Sequence, residues 1–520
     1  MRNTMQRRFH NPIMTGFYPD PAICRVGEDY YLIHSTFEYF PGVPIHHSRD
    51  LVHWQQIGHI LDRPSQLNLD EIHPSAGIFA PTISYHDGTF YMITTLIAGK
   101  ERHGNFIVTA QSPAGPWSDP YWLDADGIDP SLFFEDGRAW YVGNRGKANP
   151  EYEGQCEIWL QELDLTTMQL IGEQAVLWRG ALNGVIWTEG PHLYKIDGWY
   201  YLLIAEAGTE YNHAVTIARS SELTQGYIGY PANPILTHRQ LGRDYPVMGT
   251  GHSDLVQTQN GEWWLVLLAM RPYGGGFYNL GRETFLAPVQ WEQGWPLISP
   301  GTGKVELSYP APDLPLQRWP VQAACDHFDG DNLAMHWMFL RTPRSQWWSL
   351  SERVGWLRMQ LRPEQINQMV NPSFVGRRQQ HMNFLAQTML EFQPQQPQEV
   401  AGMVLIQNHN YQVQFVITGE QQASLIVCRN GEQECLAQVP IASQRNYLRI
   451  VAYGQEYSFF VAEQPDAWRP VFENLDGRFL STPVAGGFVG TVIGLYASSQ
   501  GQTSQTVADF DWFEYREIAE

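Results

Sequence analysis

One phrase of apolar and polar positions recurs five times between Asn11 and Ser299: a short apolar stretch, a turn carrying glycine, then an aromatic-rich apolar run. The copies are Asp20-Pro-Ala-Ile-Cys with Gly27-Glu-Asp-Tyr-Tyr-Leu-Ile; Ala80-Pro-Thr-Ile-Ser with Asp87-Gly-Thr-Phe-Tyr-Met-Ile; Asp129-Pro-Ser-Leu-Phe with Asp136-Gly-Arg-Ala-Trp-Tyr-Val; Gly190-Pro-His-Leu-Tyr with Asp197-Gly-Trp-Tyr-Tyr-Leu-Leu; and Ser253-Asp-Leu-Val with Asn260-Gly-Glu-Trp-Trp-Leu-Val. Asp-Gly or Asn-Gly between two β-prone runs is a hairpin signal. Alternating segments lie between the copies, at 45–60, 106–123, 157–178, 214–236 and 280–291, and supply further strands. Copies start roughly 50 to 60 residues apart, a period that fits four-stranded sheets arranged radially. The pattern therefore predicts a five-bladed β-propeller.

Aligning the copies puts Asp20, Ala80, Asp129, Gly190 and Ser253 at one shared position, and Pro19, Phe79, Ile128, Glu189 and His252 just before it. If the first strand of each blade lines the axis, Asp20, Asp129, Glu189, His252 and Phe79 crowd one mouth. Asp-Pro also begins tight turns well. Turn chemistry does not account for Glu189, whose neighbour Gly190 already serves the turn.

The stretch 295–320 is rich in proline and reads as a rigid connection along a surface. After it the repeat disappears, glutamine becomes frequent, and apolar runs at 401–407, 411–418, 423–429 and 447–452 follow at sandwich-like spacing, with Asn430-Gly431 between two of them. The expected organisation is a propeller over 1–300, a linker over 301–321 and a β-sandwich over 322–520. The segment 379–398 reads as a long loop or hairpin.

Charged residues are only 17% of the chain, which suits short strands and many turns better than helices. A net charge of −21 argues against nucleic acid or an anionic membrane surface as partner. The basic start, 1–10, lacks a secretory apolar core behind it, and the strongest apolar run, 263–270, is long enough only for one buried strand. The five cysteines, Cys24, Cys156, Cys325, Cys428 and Cys435, lack C-x-x-C spacing and read as buried reduced thiols. A cytoplasmic protein is the expectation.

Two carboxylates across a pocket can divide labour, one protonated to give a proton and one ionised to take it. A third carboxylate nearby would raise the pKa of the acid by like-charge repulsion. That is the minimum kit for glycoside hydrolysis. Phe17, Tyr18, Phe37, Tyr39, Phe40 and Phe79 cluster around the first two copies, and flat apolar rings suit sugar faces. A sugar-binding propeller without catalysis would have no need of an acid and a base on opposing sides. His46 and His47 are adjacent, so they point to opposite faces of a strand and do not share a metal. Gly274-Gly-Gly and Gly301-Thr-Gly-Lys lack phosphate-loop spacing, and no G-x-S-x-G elbow is present.

The stretches Asn11-Pro-Ile-Met-Thr-Gly-Phe-Tyr-Pro-Asp20-Pro-Ala-Ile, Ser35-Thr-Phe-Glu-Tyr-Phe-Pro-Gly-Val, Gly127-Ile-Asp129-Pro-Ser-Leu-Phe, Trp187-Thr-Glu189-Gly-Pro-His-Leu-Tyr-Lys, Gly249-Thr-Gly-His252-Ser-Asp-Leu-Val and Leu280-Gly-Arg282-Glu-Thr-Phe together resemble glycoside hydrolase family 43, specifically its two-domain β-xylosidases. Ala508-Asp-Phe-Asp-Trp-Phe-Glu-Tyr is similar to the end of that family's C-terminal, concanavalin-like sandwich, so the resemblance spans nearly the whole chain.

The resemblance implies that Asp20 is the general base, Glu189 the general acid, and Asp129 the group that tunes and orients Glu189. It implies inversion, hence Asp20 and Glu189 carboxyls roughly 6.5 to 9.5 Å apart with room for a water. Phe37 becomes an apolar wall, Arg282 a ligand of sugar hydroxyls or else a surface ion pair, and Phe488 either part of a C-domain loop that narrows the pocket or a buried sandwich residue. Phe79 departs from the family, which commonly has Trp there, and a smaller ring leaves more room. His252 either takes part in binding a structural calcium through water or is a neutral histidine hydrogen-bonded to Asp129 or another polar group. Direct coordination by this lone nitrogen would be unusual, since calcium prefers oxygen. The implied activity is exo-hydrolysis of terminal β-D-xylosyl residues from short xylo-oligosaccharides, with α-L-arabinofuranosidase or dual activity as the alternative. The chemistry requires no cofactor, and a homo-oligomer is expected.

Overall fold

The computed structural model describes residues 7–519; residues 1–6, part of the basic start noted above, lie outside the described residues. Each glycine-bearing turn closes an antiparallel hairpin: Ala22–Val26 with Asp29–Ile33, Thr82–His86 with Thr89–Ile97, Ser131–Glu135 with Arg138–Gly146, Glu189–Ile196 with Trp199–Glu206, and Met248–Gln257 with Trp263–Met270. At the three Asp-Gly turns both central residues have positive φ, for example 49° at Asp136 and 74° at Gly137. That is the type I′ geometry, whose twist matches the strands it joins.

Outer strands complete each sheet, as Gly42–Ser48 and Gln55–Leu61 do in the first blade and Glu283–Glu292 and Trp295–Ile298 in the fifth. The five inner strands touch one another in cyclic order, the last against the first, so they line a common axis. The chain is an all-β, five-bladed propeller followed by a concanavalin-like sandwich.

The ring is latched outside the blades. Arg8–His10 pairs with Ser308–Pro310, beyond the fifth sheet. The Asn11 side chain then exchanges two hydrogen bonds of 2.9 Å with the backbone of Leu286. The proline-rich stretch continues along the first blade, where the Gln317 amide donates to Asp50 at 3.1 Å and Trp319 Nε1 to the His53 carbonyl at 3.1 Å.

The sandwich consists of two eight-stranded sheets. One of them ends on a strand from the propeller, Tyr39–Phe40, which pairs with Met338–Leu340 in the register Phe339↔Phe40 and Leu340↔Tyr39. A buried cluster follows the same seam, joining Phe17, Phe37 and Tyr39 to Met338, Leu340, Phe374, Val489 and Tyr496. Two sequence expectations need correction. Residues Phe384–Phe392, read as loop or hairpin, form a strand paired on both sides. Its buried positions come in runs rather than strict alternation, and the flanking glutamines masked it. Of the five cysteines only Cys428 is buried, and Cys435 is exposed; all are free.

Candidate active site

The site forms where the inner strands begin. Asp20, Asp129 and Gly190, which share one aligned position, have φ of 53°, 51° and 57°. The left-handed region is uncommon for non-glycine residues and persists where the surroundings over-determine it, often at working sites. In the fifth copy it falls one residue earlier, on His252 at φ 40°, because the strand carries a register shift between Gly251 and Ser253. The same backbone turn thus aims Asp20 and Asp129 at the mouth. At Gly190 it leaves no room for a side chain, since a Cβ there would lie 3.0 Å from the His252 ring.

Asp20 is buried and surrounded by donors. Arg282 Nη1 approaches its Oδ1 at 2.8 Å and Nη2 its Oδ2 at 3.4 Å, the Ser35 hydroxyl donates to Oδ2, and His252 Nδ1 lies 3.9 Å from Oδ1. Burial alone would raise its pKa. The Arg282 guanidinium, with His252, Ser35 and His213, outweighs burial and holds Asp20 below the usual carboxylate value. Glu189 goes the other way: burial and the charge of Asp20, opposed by Arg282, push it up to about 7. Burial, then Glu189 and Asp20, raise Asp129 well above its usual range, against Arg282 and the Gly190 amide. Both Glu189 and Asp129 are thus shifted toward their protonated forms.

Arg282 is buried rather than a surface ion pair. Its fork is engaged first by Asp20, then by the Thr209 hydroxyl, which accepts from Nη1 at 3.0 Å, and by the Phe488 carbonyl, which accepts from Nε at 3.3 Å. The ion pair with Asp20 is a contact that the sequence did not indicate, beside the expected role toward sugar hydroxyls.

The apolar wall comes from both domains. Phe37 stacks on Phe488 with centroids 5.8 Å apart, and Phe79 meets their edges at 5.4 and 6.1 Å. Phe488, 37% exposed, is on a loop that leaves the sandwich and reaches the propeller, so it is not a buried sandwich residue. Thr209, Met270, Tyr278, Arg282 and Phe488 line a small recess beside this wall.

His252 is buried, and burial lowers its pKa to about 4, leaving a neutral imidazole whose nearest carboxylate is Asp20 rather than Asp129. Among the described residues no cluster of three or more His, Cys, Asp or Glu could hold a metal ion. His46 is buried, whereas its neighbour His47 turns to Asp29 at 2.7 Å. Sequence reasoning missed Ser35 and Thr209. Hydroxyl residues are common, and nothing in their spacing separates these from the rest.

The profile described as Glycosyl hydrolases family 43 matches residues 9–296, and the one described as Beta xylosidase C-terminal Concanavalin A-like domain matches 325–516. A xylosidase/arabinosidase of Butyrivibrio fibrisolvens is 47% identical, over 98% of this chain and 99% of that protein. A non-reducing end alpha-L-arabinofuranosidase of Bacteroides ovatus is 40% identical, over 98% and 95%. Among solved structures, a xylan beta-1,4-xylosidase from Bacillus halodurans superposes with a TM-score of 0.92 at 39% identity, over 98% of this chain and 100% of that one.

Proposed function

This chain belongs to glycosyl hydrolase family 43, and we propose that it releases terminal β-D-xylosyl residues from short xylo-oligosaccharides, exo and with inversion. The observation that carries the reading is the ion pair of buried Asp20 with Arg282 at 2.8 Å, which favours ionised Asp20, while Glu189, half-buried at the start of another blade, is pushed up to about 7 by desolvation and the charge of Asp20. Asp20 takes a proton from water as the water oxygen bonds to the anomeric carbon. The glycosidic C–O bond breaks on the opposite face, and Glu189 gives its proton to the departing oxygen. Asp129, whose carboxyl feels the charge of Glu189, is the group assigned to tune and orient that acid. Phe37, Phe79 and Phe488 form the apolar bed for the terminal sugar.

Arabinofuranoside hydrolysis is the second reading. It is supported by the names of the two relatives above and by the space that Phe79 leaves in the wall. Turnover of an aryl β-xyloside against an aryl α-L-arabinofuranoside, with Asp20→Ala as control, separates the two. Proton NMR of the first anomer formed tests inversion: a retained anomer would contradict the Asp20 role.

A calcium ion at His252 would find no set of three protein ligands among the described residues, so it would be held through water, and the steps above need none. Chelation followed by metal analysis tests it. The free cysteines fit a reducing compartment, which supports action in the cytoplasm on imported short chains, checked by fractionation. Light scattering tests the homo-oligomer.

A further inference from the structure

The loop that carries Phe488 is a strap from the sandwich whose base and tip are held differently. Its base is tied to the propeller turn at 278–281: the Tyr278 amide donates to Ser481 Oγ at 2.7 Å, and the Thr491 amide to the Asn279 carbonyl at 2.8 Å. Gly281 and Gly490 meet so closely that a Cβ on Gly281 would lie 2.8 Å from Gly490. The tip follows two left-handed glycines, Gly486 and Gly487 at φ 73° and 80°, and has no strand partners.

Among the described residues, two propeller side chains reach the tip with hydrogen bonds, and both bond the backbone of Phe488. Its amide donates to Ser75 Oγ at 2.8 Å, and its carbonyl accepts from Arg282 Nε at 3.3 Å. A side chain at Gly487 would run into Ser75 Oγ, so the tip lies flush on that hydroxyl.

Ser75 is itself held in an unusual posture. It is buried, its φ is 61°, and its amide donates to Glu38 Oε2 at 3.0 Å. Glu38 is buried too, and its carbonyl accepts from the amide of Arg341, a sandwich residue, at 2.8 Å. A serine in the left-handed region costs free energy that a glycine would not, yet this position carries a hydroxyl aimed at the strap.

We propose that Ser75 is a positioning residue: its hydroxyl fixes the strap tip so that the Phe488 ring closes the apolar wall and the Phe488 carbonyl steadies Arg282 against Asp20. This rests on the glycosidase reading and adds to it the part that sets the height of the pocket roof. Without the hydroxyl the tip swings on its glycine pair. The terminal sugar then loses one wall, while the acid and base remain in place.

The test uses the full-length protein with Ser75→Gly and Ser75→Ala. Both delete the hydroxyl, but glycine also relieves the left-handed φ, so Ser75→Gly melts no lower than the wild type. Both variants are expected to raise KM for xylobiose about fivefold, the equivalent of one net hydrogen bond, with a smaller fall in kcat. Amide hydrogen exchange of the peptide spanning 482–491 should quicken in both. Unchanged exchange, or quicker exchange with unchanged KM, overturns the proposal. A lowered melting point for Ser75→Gly with KM and exchange at 482–491 unchanged would mark a merely structural role and also overturns it. If the wild type turns over neither xyloside nor arabinofuranoside, the substrate reading fails, and the exchange comparison still decides whether Ser75 holds the tip.

Discussion

In the proposed mechanism a single guanidinium separates the tasks of the two carboxylates. Arg282 sits against Asp20 at 2.8 Å, and the resulting fixed negative charge on Asp20 helps keep Glu189 protonated. The pH dependence follows with its sign. Glu189 must carry its proton, so kcat/KM should fall roughly tenfold per unit as pH rises above about 7. Asp20 must be ionised, and with its pKa depressed the acid limb lies below the usual carboxylate value of 3.8. Glu189→Gln should abolish the alkaline limb and slow xylobiose by about a thousandfold, while an aryl xyloside with a good leaving group loses much less. Equal losses on both substrates, or an alkaline limb that survives, would reassign the acid. Arg282→Gln removes the largest of the groups that together outweigh burial at Asp20, so its acid limb should move to higher pH; a profile superimposable on the wild type's would show that the pair does not set it.

The hairpins were readable because their chemistry is local. Asp-Gly dictates a type I′ turn wherever it lies between β-prone runs, and the three Asp-Gly copies adopt it. The left-handed entrances were readable only as an alignment. Asp20 and Asp129 announced a shared position, but nothing in the letters gave their φ. The strand Phe384–Phe392 was lost because it is buried on both faces in places, which erases the period of two. Ser35 and Thr209 became visible only when distant strands met. The Tyr39–Phe40 edge strand belongs to the same class, since pairing with Met338–Leu340 depends on residues some three hundred positions away. Next to that edge, Arg341 donates from Nε and Nη2 to the Ile72 carbonyl at 2.9 and 2.6 Å and from Nη1 to that of Val370 at 3.1 Å. Arg341→Met would leave those buried acceptors bare. We expect a loss of about 3 kcal/mol in chemical denaturation, and a loss under 1 kcal/mol would mean that water replaces the guanidinium readily.

Propeller and sandwich are woven together rather than merely adjacent. One gives a strand to the other's sheet and receives in return the ring that closes its pocket. Fragments 1–321 and 322–520, expressed apart, should therefore be poorly soluble, and the first should show no measurable turnover even after refolding. Mixing them is expected to restore part of the activity; full activity in the first fragment alone would show that the sandwich is dispensable. The placement of Phe488 also orders events during synthesis. All five blades, and with them Asp20, Asp129 and Glu189, leave the ribosome before the strap is made. A nascent chain can thus build its carboxylate cluster early yet cannot seat a sugar against a complete wall until the sandwich has emerged and docked its strap, so the pocket is completed only after the blades have committed to their topology.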